Sequence, residues 1–156
     1  MRELKIPLLV VDLQIDLLPE DPTFLLNAVE SARADALFTV FVTRCNAPDS
    51  LFFRQLRSSQ CMSGSVGVEL AVARRPEDQI MPRSGYGLPG PALDLFDGFG
   101  SVNVCGLESD SGVLACSFSL WDRGIVPRVI PSACHSASGP RAHAAAMSTF
   151  YASFGI

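Results

Sequence analysis

The chain has 156 residues, 48% of them apolar and 18% charged, with a formal net charge of −4. That length fits one domain, spanning 1–156, able to bury roughly 68–70% of its unfolded surface. The weak negative charge, with no basic cluster beyond Arg74 and Arg75, offers no footprint for nucleic acid and points to small molecules as partners. The apolar excess leaves surface over for a second copy, so a homo-oligomer, dimer or tetramer, is expected. Five scattered cysteines, an odd number with no C-x-x-C, argue against a disulfide framework or a zinc knuckle and for a reducing compartment. The first apolar run is broken by Asp12 after about seven residues, too short for a membrane span or a signal core. A cytoplasmic protein is the expectation.

Short β-rich runs alternate with helical patterns. Residues 6–11 form a continuous apolar run of strand length, as a strand covered on both faces requires. Residues 22–36 place Phe24, Leu25, Ala28, Val29 and Ala32 at helical spacing, and 37–43 read as a second buried strand. Between 46 and 75 the pattern is mostly loop, with helical pieces around 51–56 and 66–73. A weak third strand is expected over 78–82, a short helix over 91–96 and a fourth strand over 101–105. Residues 109–123 read as a helix with Ser109 and Asp110 as cap candidates, followed by a strand over 126–130 and a closing helix over 140–154.

This succession predicts a three-layer α/β/α domain, Rossmann-like, with a mostly parallel sheet of five or six strands. Ligands in such sheets bind beyond the carboxyl ends of the strands, where strand order reverses. If the first strand lies beside the fourth, Asp12 faces the turn from Gly106 to Gly112 across that crevice. No G-x-G-x-x-G, Walker A loop or G-x-S-x-G elbow is present, so dinucleotide binding, P-loop chemistry and serine hydrolysis drop out.

Leu8-Leu-Val-Val-Asp12-Leu-Gln14, Met81-Pro-Arg83-Ser-Gly-Tyr86, Gly106-Leu-Glu-Ser-Asp110-Ser-Gly112-Val-Leu-Ala, Gly124, and the stretch from Ala142-His143 to Phe154-Gly155 follow one another in order. Together they resemble the isochorismatase-like (cysteine hydrolase) superfamily. That resemblance implies an Asp after the first strand, a Lys after the third and usually a Cys at the start of the helix after the fourth. Asp12 matches the first, whereas Arg83 and Gly112 stand at the other two. It also places Gln14, Tyr86, Leu107, Glu108, Ser111 and Gly112 among the substrate-binding positions. The branch that hydrolyses the vinyl ether of isochorismate is similar in carrying glycine there, and that chemistry needs only a general acid.

Asp12 is the expected acid, its pKa raised by burial, with Arg83 gripping a substrate carboxylate or pairing with Asp12. Cys105, Cys116 and Cys134 read as core. His143 reads as packed, and His135 as a residue that can line the crevice. No cofactor is expected, and no metal, since no His pair with a nearby carboxylate provides the zinc ligands of the nicotinamidase branch. Three readings stay open: a hydrolase or lyase acting on a small carboxylated or enol-ether substrate through Asp12 without a covalent thioester; a non-catalytic binding or scaffold protein with Asp12 and Arg83 as a structural ion pair; and an amidohydrolase that recruits another thiol.

Overall fold

The structure is a computed structural model that describes residues 4–155. Its strands are β1 (Leu8–Val11), β2 (Thr39–Arg44), β3 (Gln79–Arg83), β4 (Ser101–Leu107) and β5 (Val126–His135), and they form one parallel sheet in the order β3-β2-β1-β4-β5. Helices α1 (Thr23–Asp35), α2 (Leu51–Arg54), α3 (Gly90–Asp94), α4 (Gly112–Asp122) and α5 (Pro140–Phe154) flank it. Every residue of β1 is buried, which explains its unbroken apolar run: it pairs with β2 on one side and β4 on the other, leaving no solvent face. Strand order therefore reverses at the β1/β4 boundary. The crevice predicted from sequence lies there.

Several boundaries differ from the sequence expectation. β5 continues to His135 and not to 130, because its register against β4 shifts between Val104 and Gly106 and resumes at Cys134. Pro127 and Pro131 are tolerated in it because it is an edge strand, and Pro131 falls within the irregular stretch. Residues 66–73 contain only a single 3-10 turn, Val66–Val68. The fourth helix starts at Gly112, so Ser109 and Asp110 do not cap it; they belong to the preceding turn. Among the described residues, no helix is long and apolar enough to cross a membrane.

One charged latch holds α1 to the sheet. Arg33, on the buried face of α1, donates to Asp78 at 2.6 Å just before β3, and its guanidinium lies 5.1 Å from the Phe41 ring centre on β2. Both side chains are about fully buried. Removing one member of such a pair leaves the other charge stranded, typically costing about 3–5 kcal/mol. Arg33→Met is expected to lose stability of that order in urea unfolding; a loss below about 1 kcal/mol would show the latch to be dispensable.

Candidate functional site

Three strand ends deliver the charged groups. Asp12 follows β1, Arg44 ends β2, and Arg83 ends β3 in register with Arg44. The chain can turn so sharply after β1 because Asp12 adopts φ 48°, a left-handed conformation that aspartate tolerates better than most side chains. Across the switch point Gly106 has φ 118°, and a Cβ built there would lie 2.1 Å from the carbonyl oxygen of Val11. Only glycine permits β4 to approach β1 so closely.

The Asp12 carboxylate is completely buried and accepts a hydrogen bond from Arg83 Nη2 at 2.7 Å, while Arg44 Nη2 stands 3.7 Å away. The other terminal nitrogen of Arg83 donates to the carbonyls of Gly85 and Tyr86, clipping the turn after β3. Arg44 lies with its guanidinium 4.4 Å over the ring of Phe52. Two buried cations thus share one carboxylate, and three of their atoms have no partner: Oδ1 of Asp12 and Nε of each arginine. Gly112, the first residue of α4, closes the cluster. A Cβ there would sit 3.0 Å from Arg83 Nη2, 3.0 Å from the Leu107 carbonyl and 3.2 Å from Asp12 Oδ2.

Burial pushes the Asp12 carboxyl above its usual range, and the Arg83 and Arg44 guanidinia pull it back only in part. Burial likewise raises Glu108, against the lowering effect of the Ala137 N–H that it accepts. The thiols of Cys61, Cys116 and Cys134 are pushed up to about 12, and that of Cys105 is raised as well, each mainly by burial.

Asp12, Arg83 and Gly112 therefore meet, as the sequence placed them. Gln14 lies beneath, but its side chain is committed to the fold: its amide donates to the carbonyls of Arg44 and Val68, and its oxygen accepts the Arg44 N–H. Leu107 is buried, with its carbonyl close to Gly112 at the start of α4. Glu108 is turned to Ala137, and Ser111 precedes α4 without a side-chain cap bond. The Tyr86 ring is part-exposed and stacks edge-on against Phe52 at 5.0 Å. His135 and His143 line a separate cleft with Asp21 and Phe24, which includes none of Asp12, Arg44 and Arg83. His143 Nδ1 is hydrogen-bonded to the buried Ser109 hydroxyl at 2.9 Å.

Arg44 was missed by sequence reasoning, although a charge ending an apolar strand was the same signal that marked Asp12. Arg83 lines a cleft of about 560 Å³ with Cys45, Ser84, Gly87 and Leu88. Among the described residues no group of three or more His, Cys, Asp or Glu side chains is placed to hold a metal ion.

Residues 7–156 match the isochorismatase domain model. The chain belongs to the isochorismatase family. Among solved structures it is similar to the nicotinamidase/pyrazinamidase of Bacillus subtilis, at 20% identity, 97% coverage of both chains and a TM-score of 0.81. It is also similar to the N-carbamoylsarcosine amidase of Thermoplasma acidophilum, at 20% identity, with 97% of this chain and 94% of that one covered and a TM-score of 0.81. The pyrazinamidase of Pyrococcus horikoshii, solved in complex with zinc, matches at 18% identity over 95% of both chains, again with a TM-score of 0.81. No curated protein sequence matches. These likenesses establish the isochorismatase fold.

Two outcomes follow from the site. Arg83→Met leaves Asp12 buried beside the more distant Arg44 alone, which should raise its pKa further. A carboxyl raised in the folded state favours folding below its unfolded pKa and loses that contribution as pH rises through the folded value. The stability lost in Arg83→Met should therefore be small in acid and grow towards about 3–5 kcal/mol near neutrality; a penalty independent of pH would show that Asp12 is not the group left unpaired. Of the five free cysteines only Cys45 is part-exposed, so a thiol reagent should modify one equivalent in the native protein and the remainder after unfolding. Rapid native reaction of a second thiol would contradict this burial.

Proposed function

We propose that this chain is a non-hydrolytic member of the isochorismatase family, which holds a small carboxylate at the Arg83 end of its cleft and does not cleave it. The observation that carries this reading is the place of Arg83. Its guanidinium lies 3.0 Å from where a Cβ at residue 112 would stand, crowding the place of a nucleophilic side chain, and it is bonded to the Asp12 carboxylate. A covalent route from the start of α4 then lacks its nucleophile, since residue 112 is glycine and the Cys116 thiol, one helical turn on, is buried and held at about 12. Arg83 cannot transfer a proton; with its terminal nitrogens taken by Asp12 and by the Gly85 and Tyr86 carbonyls, it contributes charge to the cleft. With two guanidinia and one carboxylate in the cluster, an anionic ligand supplies the missing countercharge.

A second reading has its own support. Asp12 is raised by burial and keeps Oδ1 free, as a general acid acting on an enol ether or other small carboxylated substrate would require. The two separate cleanly. On the binding reading the protein forms no product from nicotinamide, pyrazinamide, N-carbamoylsarcosine or a carboxylated enol ether. It binds acetate in an NMR titration with shifts along residues 83–88, and raising the salt concentration weakens that binding, as attraction to a net positive cluster requires. Product formation that Asp12→Asn lowers by about 10²–10⁴-fold would instead establish the acid mechanism.

A further inference from the structure

Beside the Arg83 cleft lies a second hollow, of about 260 Å³, lined by Leu51, Phe52, Leu56 and Tyr86 and meeting the first along Ser84 and Gly85. We propose, resting on the carboxylate-binding reading, that the ligand is an amphipathic carboxylate: its charged end lies in the Arg83 cleft, drawn by the net positive charge of the buried cluster, and its alkyl or aryl group lies in this hollow across the Ser84–Gly85 rim.

Three observations converge on this. The walls are apolar and yet face solvent, with Leu51 69% exposed, Leu56 57% and Tyr86 43%, so water covers surface that a ligand's apolar group would take over. The rim is low: Gly85 has no side chain, and a Cβ built there would find no atom within 4 Å, leaving the passage between the two hollows unobstructed at that point. The floor joins the hollow to the charged cluster. Phe52 is buried, packs against Tyr86, and carries the Arg44 guanidinium on its ring. An apolar group resting on Phe52 would shield Arg44 further from water, which strengthens the field that attracts the carboxylate. The size also matters. A hollow of about 260 Å³ suits a short chain or a single ring.

The test compares acetate, hexanoate and the uncharged hexanol by calorimetry on the full chain. Hexanoate should bind about tenfold or more tightly than acetate, because its chain leaves water, and hexanol should bind more weakly than hexanoate. Leu56→Asp, at an exposed position and checked for folding by circular dichroism, should narrow the hexanoate-to-acetate ratio at least fivefold. Equal binding of acetate and hexanoate would overturn the hollow while leaving the carboxylate reading intact. Binding of neither would overturn the carboxylate reading, and the inference with it. Self-association in light scattering that Leu56→Asp abolishes, with no preference for hexanoate, would assign the hollow to a second copy and also overturn the inference.

Discussion

The contact on which the site depends is the buried hydrogen-bonded pair between Asp12 and Arg83. It joins the end of the central strand β1 to the end of the edge strand β3 over the top of β2, whose own last residue, Arg44, leans on the same carboxylate. Such a pair is a poor stabiliser by itself, because stripping water from the ions offsets most of their attraction. Its effect is to fix positions. Arg83, held by Asp12 on one nitrogen and by two turn carbonyls on the other, sets the path of residues 84–88 and therefore the shape of both hollows.

Much of this was visible in the chain. The unbroken apolar run before Asp12 suited a strand buried on both faces, and the alternation of elements implied a mostly parallel sheet. The meeting of Asp12 with Gly112 was conditional on β1 lying beside β4, which the sheet order supplies. The misses have physical causes. β5 was cut short because Pro131 normally ends a strand, and sequence alone does not reveal that this strand lies at an edge with a register shift to absorb it. The cap candidates of α4 failed because Ser109 and Asp110 find partners elsewhere, in His143 and Ser136. The role of Gln14 was equally hidden: a strand-end amide suits a ligand as well as it suits backbone, and only the path of Val68 shows that backbone has taken it.

The family likeness and the local chemistry speak to different levels. The sheet order and the crevice it creates follow from the fold, and that fold is shared at about 20% identity with amidases. What happens in the crevice depends on a few side chains that the fold leaves free to vary. Here those side chains are a buried carboxylate between two guanidinia, closed over by a glycine at the start of α4.

The crowding around Gly112 bears on how such a site can change over generations. A side chain at that position meets a flexible guanidinium on one side and a rigid main-chain carbonyl on the other. A side chain introduced there while Arg83 remained would place its Cβ 3.0 Å from both, so each would have to give by a few tenths of an ångström. Replacement of Arg83 by a slimmer residue would ease one of these contacts, at the expense of the pairing around Asp12. The two positions are therefore coupled, and a change at either alters the room and the charge left for the other.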